Sequence, residues 1–139
     1  MKDGFGIRVG VSIKAEPAKV WECWTDPAHI TQWYFASPDW KAPSATNDLV
    51  VGGKFSTRME ARDGSAGFDF WGTYTLIEPE AFLGFTLGDG RRVEVRFSVA
   101  DGGTRVEEEF EPEGTNTTDL QRAGWQAILD SFRRHVESR

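Results

Sequence analysis

Residues 117–137 read T-T-D-L-Q-R-A-G-W-Q-A-I-L-D-S-F-R-R-H-V-E, and this stretch decides the fold. Leu120, Gly124, Trp125, Ile128, Leu129, Phe132 and Val136 recur at helical spacing and form one stripe. Arg122, Asp130, Arg133, Arg134 and Glu137 fall mostly on the other side. The pattern predicts one helix of about 21 residues, roughly 30 Å long. An apolar stripe of that length has to be covered, and the rest of the chain must supply the surface.

Working outward, that surface is a sheet. Ile7, Val9, Val11 and Ile13 alternate with Arg8, Gly10, Ser12 and Lys14, a strand with one buried face. Alternation returns in Phe55, Thr57, Met59 and Ala61, and again in Phe68, Phe70, Gly72, Tyr74 and Leu76. It continues through Leu83, Phe85 and Leu87, then Val93, Val95, Phe97 and Val99, and ends with Val106 and Phe110. The links Asp63-Gly64, Glu78-Pro79, Gly88-Asp89-Gly90 and Asp101-Gly102-Gly103 are turn-like. Short links and alternation predict an antiparallel meander with one buried face.

Between the first strand and the meander lies E-P-A-K-V-W-E-C-W-T-D-P at 16–27. Pro17 opens a short helix carrying Val20, Trp21 and Trp24. Asp26 as N-cap and Pro27 just inside start a second, carrying Ile30, Trp33 and Tyr34. Residues 35–48, rich in Pro, Ser, Ala, Asn and Asp, read as a loop at the entrance of any pocket. The expected fold is α+β. A curved antiparallel sheet of six or seven strands wraps on the long C-terminal helix, with two short helices after the first strand. Residues 1–139 read as one domain.

The bulk properties exclude several partners. Net charge is −6 with no Lys/Arg run, the wrong balance for displacing counterions from nucleic acid or for an anionic membrane surface. No stretch approaches the ~20 apolar residues of a membrane helix, and the start has no signal-peptide pattern, so a cytoplasmic location is expected. The single cysteine, Cys23, permits no internal disulfide.

Chemical motifs are sparse. His29 and His135 lie far apart in sequence without ligand spacing, so no metal is expected and both read as helix-surface residues. Cys23 has no basic neighbour to activate it and reads as a buried thiol. Gly52-Gly53 lacks the strand-to-helix context of a phosphate loop and reads as a bend. No cofactor is implied.

Aromatics are the unusual feature: ten Phe, six Trp and two Tyr. Trp21, Trp33, Phe55, Phe70, Tyr74, Phe85, Trp125 and Phe132 are all expected to point inward, where they either fill the core or line a cavity. The inward polar positions are Thr57, Tyr74 and Glu108, with Gln121 placed at the pocket mouth. Glu108 shares its strand face with Thr104, Val106 and Phe110. An inward carboxyl there would be paired or protonated. Alternatively a bulge turns it out into the acidic run of Glu107, Glu109, Glu111 and Glu113. Trp71 is the reverse case, on the convex face with Phe82 nearby. Exposed, the two would form a homodimer surface; otherwise a neighbouring loop or long side chain covers them.

Several pieces carry a family resemblance: A-E-P-A-K-V-W-E-C-W-T-D-P at 15–27, Q-W-Y at 32–34, D-L-V-V-G-G-K-F at 48–55, W-G-T-Y-T-L-I-E-P at 71–79, L-G-F at 83–85 and G-W-Q-A-I-L at 124–129. In this order they resemble the helix-grip proteins of the START-like, birch-pollen-allergen-like (SRPBCC) superfamily. Within it the chain resembles the bacterial proteins named after the heat-shock-protein-90 ATPase activator. The resemblance implies a pocket between sheet and helix for a lipid-like, polyketide-like or aromatic molecule. The superfamily also includes cyclases, dehydratases and a co-chaperone domain. A binding module for a small hydrophobic or aromatic molecule is therefore the leading expectation. The rivals are a cyclase or hydro-lyase using Tyr74 and Glu108, and co-chaperone-like stimulation of an ATPase. The activator that names the family carries an additional N-terminal domain, for which this sequence leaves no room, and that counts against the last.

Overall fold

The computed structural model describes residues 4–139. Strand β1 (Ile7–Ile13) is followed by helices α1 (Pro17–Thr25) and α2 (Pro27–Ile30). Six strands come next: β2 (Trp40–Asn47), β3 (Lys54–Ala61), β4 (Gly67–Glu78), β5 (Phe82–Leu87), β6 (Arg92–Ala100) and β7 (Gly103–Phe110). Helix α3 (Thr118–Glu137) ends the fold. The seven strands form one antiparallel sheet in the order β1-β7-β6-β5-β4-β3-β2, curled into a half-barrel. Among the described residues no helix is long and apolar enough to cross a membrane.

Local chemistry explains the boundaries. Asp26 caps α2 by accepting from the Ala28 N–H at 2.9 Å, and Pro27 takes the first helical position, where no N–H is needed. Helix α2 ends at Ile30, so Trp33 and Tyr34 lie in the turn beyond it, not on the helix as the sequence suggested. Thr117 caps α3 by accepting from the Leu120 N–H at 3.1 Å.

Three further differences from the sequence reading have clear causes. The expected loop 35–48 contains strand β2, an edge strand paired with β3. Pro43 is tolerated because the register skips between Lys41 and Ser44, and an edge strand needs only one side of its ladder. A second skip, between Tyr74 and Leu76, reverses the alternation of β4. Leu76 therefore faces solvent and Ile77 packs on the core, opposite to strict alternation. Leu120, the first member of the helical stripe, is 60% exposed because it precedes the region where α3 meets the sheet.

The inner sheet face and α3 enclose the core: Leu129, Phe132 and Val136 of the helix are fully buried, as are Val95, Val106 and Phe110 of the strands. Helix α3 packs mainly on β1. There the Gln126 side chain accepts from the Gly10 N–H at 3.3 Å and donates to the Gly10 carbonyl at 3.0 Å. On the convex face, Trp71 and Phe82 do not form the expected pair. Phe82 stands opposite Glu78 at one end of the β4–β5 ladder and is buried under the Arg96 guanidinium, 4.8 Å from the ring. Trp71 is at the other end, covering Gly88, with the Lys54 ammonium 5.2 Å above it. A long cationic side chain thus lies over each ring, but only Phe82 is buried, while Trp71 remains 40% exposed.

Candidate functional site

A cavity of about 200 Å³ opens between α3, the short-helix segment and the inner face of β3, β4 and β7. Trp24, Trp33, Tyr34, Phe70 and Trp125 form its aromatic walls, and Met59, Ile128 and Leu129 supply aliphatic surface. Phe68 and Arg91 complete the lining, with Phe68 47% exposed. Among the described residues, Glu108 contributes the one carboxyl of the lining.

The walls are fixed by a ring network. Trp125 stacks on Phe110 with centroids 3.8 Å apart and planes 10° from parallel. Phe70 meets Trp125 edge-on at 6.0 Å and lies tilted by 32° against Tyr34 at 5.5 Å. Trp33 is locked by two polar contacts. Its indole N–H donates to the Cys23 carbonyl at 2.9 Å, and its own carbonyl accepts from the Ser131 hydroxyl at 2.8 Å. Aromatic contacts of this kind prefer offset and edge geometries, so the walls resist collapse into the void.

Glu108 faces inward. Strand β7 keeps continuous register with β1 and β6, Glu108 lying opposite Val9 and Val95, so no bulge turns it out. It is 5% exposed. Burial alone pushes its carboxyl from 4.5 up to about 8, because the charged form loses its hydration. Among the described residues no hydrogen bond or ion pair of the protein engages this carboxyl. The Tyr34 phenol is raised well above its ordinary range, by burial first and by the Glu108 charge second. At neutral pH the cavity therefore offers a largely protonated acid and a neutral phenol within an apolar wall.

Four of the residues expected to form the pocket line it: Trp33, Phe70, Glu108 and Trp125. Seven do not. Phe55, Tyr74 and Phe85 pack on one another, at 5.4 and 4.9 Å from Phe55, and fill the space beside the cavity. The Tyr74 hydroxyl donates to Asn47 at 2.7 Å, and its phenol is raised by burial with that bond opposing. Trp21 packs edge-on against Phe97 at 5.4 Å, away from the void. Phe132 is fully buried between Trp24 and Trp33. Thr57 is buried on the inner face of β3 without reaching the cavity. Gln121 is not at a mouth: its amide accepts from the Glu113 N–H and donates to the Glu113 and Asn116 carbonyls, pinning the loop before α3.

Sequence reasoning passed over Trp24, Tyr34, Met59, Phe68, Arg91, Ile128 and Leu129 as lining. Ile128 and Leu129 share the stripe of Trp125, and Met59 shares the inner face of Phe55, so the signal was present for these three. Arg91 follows a turn and carried none. The two histidines are also not separate surface groups: His29 Nδ1 lies 2.9 Å from His135 Nε2.

The matched family model covers residues 14–137 and describes an Activator of Hsp90 ATPase homolog 1-like protein. The chain belongs to this family. An AHSA1-like protein from Aeromonas hydrophila is 46% identical, with a TM-score of 0.87, over 95% of this chain and 93% of that one. A protein from Cytophaga hutchinsonii is also 46% identical, with a TM-score of 0.83, over 97% and 94%. A Chromobacterium violaceum protein shares the fold at a TM-score of 0.84 with 19% identity, over 94% and 96%. No curated protein matches the sequence. The family fold is compatible with ligand binding and with co-chaperone-like roles.

Proposed function

We propose that this family member binds a compact hydrophobic molecule, one aromatic ring with a polar substituent, in the cavity between sheet and helix. The observation that carries the reading is the combination of a preformed aromatic-walled void with a single buried carboxyl facing it. A void of about 150 Å³ is enough for benzene, so the space here suits one ring and a substituent. Long acyl chains or fused polyketide rings would have to displace Phe68 or Met59 at the wall. Affinity comes from burying the ring's apolar surface, and Glu108 and Tyr34 orient the substituent by hydrogen bonding.

A second reading, an enzyme of the hydro-lyase or cyclase kind, draws on the same carboxyl. A general acid working at neutral pH needs a pKa near 7, and burial moves Glu108 toward it. Tyr74, the other residue expected in that role, is outside the cavity and engaged by Asn47. One experiment tests binding and separates the two. A panel of one-ring phenols and aryl ketones is titrated into labelled protein, followed by amide chemical shifts, and the compounds are then recovered. Binding shifts Phe70, Trp125 and Glu108; Met59→Trp, which fills the void, abolishes it, and Arg133→Ala on the exposed helix face does not. Recovery of altered compound selects the enzyme. Absence of shifts at the cavity, or equal binding by Met59→Trp, overturns the proposal.

A further inference from the structure

Cys23 of α1, His29 of α2 and His135 of α3 stand together although 112 residues separate the first from the last, and none of them lines the cavity. The Cys23 thiol sulfur and one nitrogen of each imidazole all lie within 4.8 Å of one another. Cys23 is 1% exposed and His135 9%, while His29 is half-buried on the outer side. From this convergence we propose a site for a thiophilic transition-metal ion, Zn²⁺ foremost, with Cys23, His29 and His135 as protein ligands.

The donor set is the first argument. One thiolate and two imidazoles suit zinc, and three protein ligands leave a fourth position for water. Spacing is the second. Zinc–nitrogen bonds of about 2.0–2.1 Å and a zinc–sulfur bond of about 2.3 Å in a tetrahedron need nitrogens roughly 3.3 Å apart and sulfur roughly 3.6 Å from each. His29 Nδ1 and His135 Nε2 are 2.9 Å apart with rings inclined at 68°, so a few tenths of an ångström of opening admits the ion. In the metal-free protein one imidazole N–H fills that gap by donating to the other ring. On binding, that proton moves to the other nitrogen of its own ring and the Cys23 thiol proton leaves to solvent, so a neutral imidazole pair and one thiolate face the ion.

The surroundings are the third argument. The carboxylates of Glu22 and Asp26 lie within the same 4.8 Å span of His29, on the outer side through which an ion would enter. His135 is in the last turn of α3, where the helix dipole favours a cation. Lys19 and Arg139 oppose these, but the Lys19 ammonium is drawn to the Arg139 carbonyl. The ligand backbones are held independently of any ion: the Cys23 carbonyl accepts from Trp33, and Asp26 caps the helix that carries His29. Three elements meeting only in the folded chain also explain why sequence spacing gives no metal motif.

Titration of the reduced full-length protein with Co²⁺ tests this. A thiolate-to-cobalt charge-transfer band in the near ultraviolet, with the intense visible bands of four-coordinate cobalt, should saturate at one equivalent and be displaced by Zn²⁺. Cys23→Ser should remove the charge-transfer band, and His29→Gln or His135→Gln should weaken binding at least tenfold. Phe70→Ala, in the cavity wall, should leave it unchanged. His29 is on the outer side of a short helix, so His29→Gln keeps the test valid should Cys23→Ser fail to fold, as judged by its amide spectrum. Absence of a charge-transfer band in the wild type, or a band of equal strength in folded Cys23→Ser or His29→Gln, overturns the site.

Discussion

Replacing Glu108 by Gln keeps the shape of the cavity wall and removes its one ionisable acid. The native carboxyl is raised from 4.5 to about 8 by burial. The folded protein therefore binds this proton more tightly than the unfolded chain does. The stabilisation from the protonated form is complete below about pH 4.5, falls as pH rises toward 8, and is gone above it. At ~1.4 kcal/mol per pKa unit the full swing is on the order of 5 kcal/mol, comparable with the whole stability of a small domain, roughly 5–15 kcal/mol. Urea unfolding of wild type and Glu108→Gln from pH 5 to pH 9, read by Trp fluorescence, measures it. The variant should match or fall slightly below wild type at pH 5 and exceed it by several kcal/mol at pH 9. Other carboxylates titrate equally in both proteins and cancel in the difference. A stability difference constant to within ~0.5 kcal/mol across that range would refute the placement of an unpaired carboxyl in an apolar wall.

Gly72 tests how tightly the aromatic cluster beside the cavity is packed. A methyl group there would lie 2.8 Å from the Thr86 carbonyl and 2.9 Å from the Phe55 ring, so Gly72→Ala should cost about 1–3 kcal/mol, measured as a shift in urea midpoint. On the convex face, Phe82 is buried under Arg96 and Trp71 is exposed without it, a patch of one ring, so Trp71→Lys should leave the sedimentation coefficient unchanged at high concentration. A change would mean that Trp71 is part of an interface.

Periodicity made the skeleton legible. The alternation of Ile7–Ile13 and Val93–Phe97 and the stripe from Trp125 to Val136 each bury one face, whereas Val99, expected on the same face, is 82% exposed at the far end of its strand. What escaped was set by irregularity. The skip at Tyr74–Leu76 moves Leu76 out and Ile77 in, and no local residue announces it. Strand β2 was hidden because Pro43, Ser44 and Asn47 have loop chemistry, and pairing with β3 overrides their propensity. The inward aromatics were readable, but which of them border empty space depends on the curl of the sheet. Phe55, Tyr74 and Phe85 meet one another and fill their space, whereas Phe70 and Trp125, although in edge contact, border the cavity. Continuous register around Glu108 could only be settled by its neighbours Val9 and Val95 on two other strands. The contact of His29 with His135 depends on how α2 and α3 are placed against each other.

The grip of Gln126 on Gly10 has a consequence for life in a crowded cell. A half-barrel has two free rims, and each rim is a row of unpaired backbone groups that invites templated strand addition, the first step toward swapped oligomers and fibrils. At the β1 rim the Gln126 amide takes up both the N–H and the carbonyl of Gly10, and Glu137 accepts from the Lys14 N–H at 2.9 Å. At the β2 rim Pro43 lacks a donor altogether and the skip from Lys41 to Ser44 breaks the flat repeat that a stacking strand would need. A barrel would remove its rims by closing, at the cost of the space between them. Here the sheet stays open enough to surround a void, and the gap is sealed against other polypeptides by two side-chain devices instead of by further strands.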